Sequence, residues 1–429
     1  MATAQTVPTD GVMRAADGTP LKVALARAEL SQKLWAVALV MPLFIFILLS
    51  FVVPIIVMLW NSVHDPDVAE NMPRTVQALQ SWDGKDLPSE EAFAAFVADM
   101  QEANKNKQAA LIGKRLNYEL SGIRSKVIAT ARKAGALTEA PYKDAVIAID
   151  KIWGQTETWA TIKRSSSNFT PFYILSMLDL RQGADGSVEH VPADRAIYKD
   201  ILLRTLGISL MVTLLTLILG YPVAYMLATS PQKTASILMI FVLLPFWTSL
   251  LVRTTAWMIL MQDGGVFSQM MNFTGLTFLL NMLGVMDGEP QLFKTRFATI
   301  VAMTHIQLPF TLLPIYSVMK TISPNYMRAA KSLGGTPFYS FVRVYMPQTL
   351  PGVAAGCLLT FILCLGYYIT PALVGGPTDQ MISGFIERAI NSENNWGKAS
   401  ALGVILLTAT LILYYIYNKL VGIDRMKLG

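Results

Sequence analysis

Six apolar runs constrain this chain more than any other feature: Leu34–Trp60, Leu206–Ala228, Ser236–Val252, Ala298–Met319, Gly352–Val374 and Ala399–Val421. A helix needs about twenty apolar residues to cross the roughly 30 Å hydrocarbon layer of a bilayer. Hydrocarbon offers the backbone no hydrogen-bond partner, so each run is expected to be helical. The expected fold class is an all-α integral membrane protein with six transmembrane helices. Leu276–Leu283 is apolar but too short to cross and is expected at the interface.

The charges are distributed to match. Of the chain's 64 charged side chains, 36 fall in residues 61–200, and the rest of the 429-residue sequence is strongly apolar, lifting mean hydropathy to +0.44. Residues 61–200 therefore read as a soluble insertion between the first and second spans. Within it, Ser89 followed by two acids starts a helix whose Phe93, Phe96, Val97 and Met100 share one face. Further helices are expected near Arg115–Lys133 and Pro141–Trp153. The insertion reads equally as a docking surface or as a stabilising decoration.

Residues 1–33 form a polar tail whose start is expected to be disordered, and the 27-residue run after it is a signal anchor that stays as a span. With the N-terminus inside, the short inner segments carry twelve Lys/Arg and the outer ones six, which puts both termini, including the tail 422–429, in the cytoplasm. The chain is thus expected to cross its membrane several times.

Several function classes fall away. The net charge of +6 is not clustered with aromatics, so nucleic acid is not an expected partner. Cys357 and Cys364 lie seven apart in one helical run, too far for a disulfide, and are packing residues. His64, His190 and His305 are isolated, so no metal is expected. No phosphate-cradling G-x-x-x-x-G-K-[ST] occurs, so the chain is not itself an ATPase.

The segment between the fourth and fifth spans, 320–351, is longer than a connection requires. Ser323-Pro324 signals a helix start and Gly334-Gly335 a stop; Thr336-Pro337 then opens a second helix that Pro347 and Pro351 separate from the next span. Two capped helices on the inner side suggest a docking element, the alternative being an amphipathic helix lying on anionic lipid.

Ala329, Ala330, Gly334, Val344 and Pro347 keep the full spacing of the E-A-A–x3–G–x9–I–x–L-P loop of ABC importer permeases, with Met346 in place of Leu and Arg328 in place of Glu. Around this loop, Gly220-Tyr221-Pro222, Leu244–Trp257, Gln307–Met319 and Pro351–Gly376 resemble the spermidine/putrescine-type permeases. The likeness covers the first span and about residues 200–421. It implies the type I importer permease fold of six helices and a non-enzymatic, pore-forming subunit. It implies as partners an ABC ATPase dimer that uses ATP and Mg, a second permease subunit (the same chain or another), an extracytoplasmic solute-binding protein and membrane lipid. Tyr326, Arg328, Ala329, Ala330, Leu333, Gly334, Gly335, Val344 and Pro347 would then form the ATPase-coupling loop.

Polar groups inside spans are costly and hence functional candidates: His305, Gln307, Tyr367 and Tyr368 are expected along a substrate path. Against this stand an interhelical hydrogen bond for His305 and core or interfacial packing for the tyrosines. Many relatives read Gly-Glu-Tyr or Gly-Glu-Phe at Gly366-Tyr367-Tyr368, and the spans here carry no Asp or Glu. Polyamines are the first expectation for the solute, and opines or aminophosphonates the alternative. A secondary transporter or a membrane-anchored receptor is the competing class.

Overall fold

A computed structural model describes residues 21–183, 187–193, 195–284, 288 and 290–421. Residues 61–429 form one compact unit and residues 1–60 another. The start of the polar tail and residues 422–429 lie outside the described residues.

The N-terminal unit is a single helix, Leu21–Ile47, that passes through a π turn at Leu48–Val52 into Val53–Asn61. The first span therefore begins earlier than its apolar run: residues 21–33 are helical, not tail. LKVALARAEL is dense in good helix formers, and a Lys33–Glu29 pair at 3.7 Å sits one turn apart. The π turn falls just before Pro54, whose ring would clash with the carbonyl four residues back in a regular helix.

The same device corrects the reading of Pro347 and Pro351. They do not separate the second loop helix from the fifth span: Pro337–Ser340, a π turn at Phe341–Tyr345 and Met346–Leu365 run on as one 29-residue element. Again the wide turn ends two residues before a proline. The fifth span then ends at Leu365, short of the expected Val374. Gly366 breaks it, and Ile369–Val374 is a separate short helix.

The second, fourth and sixth spans, Tyr198–Thr229, Arg296–Thr321 and Trp396–Val421, contain their apolar runs whole. The third does not hold as one rod. Gln232–Trp247 and Leu250–Met261 meet at 95°. Pro245 cannot continue the helix, and Thr248 and Ser249 are extended, with the Ser249 hydroxyl capping the Val252 N–H at 3.3 Å. Leu276–Met282 is a short helix with Leu276, Phe278, Leu279 and Met282 all exposed.

The second, fourth and fifth spans form the core of the bundle. Small residues let them approach: a Cβ on Gly356 would come within 2.5 Å of the Thr311 carbonyl, and one on Gly352 within 3.0 Å of Pro314. Between them, buried Thr311 bonds Thr216 at 2.8 Å and Thr360 at 2.6 Å, satisfying three hydroxyls at membrane depth.

In the insertion, Glu90–Lys105 is a helix with Phe93, Phe96, Val97 and Met100 buried, as the pattern required. Arg115–Lys133 is two helices, Ala109–Asn117 and Ile123–Ala134, because Gly122 turns left-handed at φ +86°. The third helix stops at Ile149, where Asp150 caps a 3-10 turn, Lys151–Gly154. Trp153 and Trp159 close the core against Phe96. A small antiparallel hairpin, Leu180–Gln182 with Val188–His190, departs from all-helix.

The insertion is fastened to the bundle. Tyr173 and Met177 pack with Ile201, Ile382, Ala401 and Leu402. The buried Asp179 carboxylate accepts the N–H groups of Ile197, Tyr198 and Lys199 at 2.7–3.0 Å, capping the second span from eighteen residues upstream. That cap is why the second span starts at Tyr198, ahead of its apolar run.

Candidate functional site

The loop between the fourth and fifth spans folds as its caps dictate. Ser323 starts it, its hydroxyl accepting the Asn325 N–H at 3.3 Å, and the helix runs Asn325–Ser332. It ends in a double glycine turn: Gly335 N–H reaches Ala330 O at 3.1 Å and Gly334 N–H reaches Lys331 O at 3.0 Å, with Gly334 at φ +87°. A Cβ on Gly335 would meet the Ala330 carbonyl and the Ser340 hydroxyl, both at 2.8 Å. Thr336 then caps Tyr339 at 3.2 Å and Pro337 takes the first helical position.

This helix has two unlike faces. Met327 packs beside Met319, Tyr345 and Phe341 at the end of the bundle where the fourth span closes. Tyr326, Arg328, Ala329 and Leu333 face outward, Leu333 being 89% exposed. Phe338 and Tyr339 add 78% and 59% exposed rings next to it. Apolar side chains this bare at the end of a bundle mark a contact surface. Arg328 makes no side-chain hydrogen bond or ion pair among the described residues. The predicted loop residues thus divide: Tyr326–Gly335 form the exposed helix and its turn, while Val344 sits in the π turn and Pro347 in the first turn of the fifth span.

Sequence reasoning missed what connects the loop to the bundle. Tyr225 meets Phe341 and Tyr345 edge-on, at 5.2 and 5.3 Å between centroids, and Phe341 stacks on Tyr345 at 5.8 Å. Tyr221 bonds Thr349 at 3.0 Å. The available signal was a pair of aromatics four apart on each helix, 221/225 and 341/345.

The four predicted path residues do not form one cluster. His305 accepts a hydrogen bond at Nδ1 from the Trp257 indole at 3.1 Å, and both His305 and Tyr367 lie within electrostatic reach of Arg253. Gln307, two residues on, turns away and is wholly buried, with no partner for either amide atom among the described residues. Tyr368 stands 40% exposed at the start of Ile369–Val374. Among the described residues no group of His, Cys, Asp and Glu is arranged to hold a metal.

Residues 216–421, from the second span to the sixth, match the family of binding-protein-dependent transport system inner membrane components. The chain is 31% identical to the spermidine/putrescine transport system permease protein PotB of Haemophilus influenzae, over 53% of its own length and 77% of that protein. The chain belongs to this permease family. It is also 31% identical to the inner membrane ABC transporter permease protein YdcU of Escherichia coli, covering 72% of it. Among solved structures, a bacterial alginate ABC transporter bound to its periplasmic protein matches at a TM-score of 0.43 and 18% identity, over 55% of this chain and 81% of that one. As an ABC importer permease, the chain is a multi-pass inner-membrane component of a binding-protein-dependent transport system. The first span and the insertion lie outside the family match.

Proposed function

We propose that this permease carries polyamines such as spermidine and putrescine across the inner membrane, driven by a separate ATPase that docks on the helix Asn325–Ser332. The observation that carries the coupling half is the exposed face of Tyr326, Arg328, Ala329 and Leu333 on a helix whose other face is seated in the bundle. ATP binding, with Mg, would draw two ATPase subunits together. The loop helices would follow, and the aromatic contact of Tyr225 with Phe341 and Tyr345 would pass the displacement to the second and fifth spans. The loop faces the cytoplasm with both termini, and a second permease subunit completes the pathway.

The polyamine half is supported by the names of the relatives. Opines or aminophosphonates are the competing solutes, since the apolar runs of the spans lack a carboxylate to receive a cation and Arg253 lies within electrostatic reach of His305 and Tyr367. Uptake of labelled spermidine and putrescine in cells lacking only this subunit decides. Loss of uptake, restored by the intact gene, supports the proposal, and unchanged uptake removes it.

A further inference from the structure

The break in the third span stands at the middle of the bundle, uncovered by the other described residues of 61–429. Leu238, Met239 and Val242, before the break, pack with Ile315 and Met319 near the C-terminal end of the fourth span. Phe246 meets Phe310 at 5.1 Å, near the midpoint of Arg296–Thr321. Beyond the break, Trp257 reaches His305 and Met261 packs with Ala298, toward the start of the fourth span. The two extended residues, Thr248 and Ser249, therefore lie at mid-depth. Both are exposed, and Trp247 beside them is 74% exposed.

Lipid does not tolerate this. Irregular backbone at membrane depth persists only where protein or water meets its polar groups. Thr248 turns its N–H and hydroxyl back to the Pro245 carbonyl, at 3.3 and 2.9 Å, and Ser249 caps Val252. The Thr248 carbonyl oxygen accepts no hydrogen bond among the described residues. It lies just past the C-terminal end of the half-helix Gln232–Trp247, the end where a helix carries partial negative charge. A bare indole lies next to it, and indole is the best of the aromatic faces for a cation.

We propose that the break at Trp247–Ser249 lines the translocation path and binds an alkylammonium group, held by the Thr248 carbonyl, the negative end of the half-helix and the Trp247 ring. This rests on the polyamine reading above and supplies what that reading lacked, a place for a cation in spans whose apolar runs hold no carboxylate. Half-helix ends and unwound carbonyls at the bilayer midplane are a general solution to cation binding in transporters.

The test uses the chain assembled with its partners in native membrane vesicles of both orientations, in a background with Cys357 and Cys364 replaced by serine. Thr248→Cys is treated with cationic and anionic methanethiosulfonate reagents. The expected result is labelling from the aqueous phase, slowed by spermidine, with the cationic reagent favoured about tenfold once each rate is divided by that reagent's rate with a free thiol in solution. Trp247→Leu should lower spermidine uptake about tenfold with Trp247→Phe intermediate, since a phenyl face keeps part of the attraction. A Thr248→Cys thiol that resists both reagents, because lipid or the second permease covers it, overturns the proposal. So do equal rates for the two reagents after that division. If Thr248→Cys labels as expected while the parent transporter takes up no spermidine, the cation site stands and only the polyamine assignment fails.

Discussion

Arg115 shows how much of the insertion rests on one side chain. It is buried, pairs with Asp65 and with Glu119 at 2.9 Å, and lies over the rings of Phe172 and Tyr173. Tyr173 donates its hydroxyl to the same Asp65 at 2.7 Å, and burial with that partner pushes its phenol well above the ordinary range. Arg115→Met strands two acids and should cost about 3–5 kcal/mol, seen as early denaturant unfolding and rapid proteolysis of residues 61–200 in the full chain. Asp99 makes a contrast. Burial raises its carboxyl pKa above 3.8 although Thr75 donates to it twice and Arg74 lies beside it. The folded state then holds that proton more tightly than the unfolded one, so this group's contribution weakens as pH rises from 3.8 through the raised value. Asp99→Asn keeps an acceptor for Thr75 and should leave stability at neutral pH within about 1 kcal/mol of the parent, by the same unfolding measurement. At the loop, Arg328 stands exposed where the family has an acid, and Arg328→Glu should alter coupling modestly. ATPase stimulation by solute reports this, with membrane integration unchanged.

At the scale of elements, the features written in adjacent residues were the legible ones. The loop helix was readable because Ser323, Gly334-Gly335 and Thr336-Pro337 each act within a few residues of themselves. Phe93, Phe96, Val97 and Met100 were readable because periodicity is local too. What failed depended on distant partners or on helix variants. Pro347 and Pro351 were read as a separator, but a π turn at Phe341–Tyr345 absorbs the misfit and keeps the rod continuous. The break in the third span was hidden by apolar residues on both sides of Thr248-Ser249, although Pro245 and a Ser cap were its local signs. Asp179 could not be identified as the cap of the second span, since nothing in the intervening residues fixes where the hairpin returns. Close packing supplies the test at this scale. Gly356→Val places side-chain atoms where the Thr311 carbonyl stands at 2.5 Å. It should cost about 1–3 kcal/mol by overpacking and lower thermal stability in detergent, while the exposed Ala329→Val at the loop should not.

At the scale of the molecule, the family's helical bundle was legible and its fastenings were not. Asp179, the Tyr173–Met177 contact with the sixth span, and Lys114 bonding the Asn394 carbonyl at 2.8 Å tie the insertion to the starts of the second and sixth spans. Displacement of those ends is thereby displacement of the insertion. The loop end is arranged differently: one helix seated by Met327 and otherwise bare. Docking of an ATPase on this helix is read by co-purification of the full chain with the ATPases encoded beside it, with and without residues Tyr326–Gly335. The intact chain should retain an ATPase, and the deletion, still integrated in the membrane, should lose it. Retention of the ATPase by the deleted chain would show that docking does not use this helix.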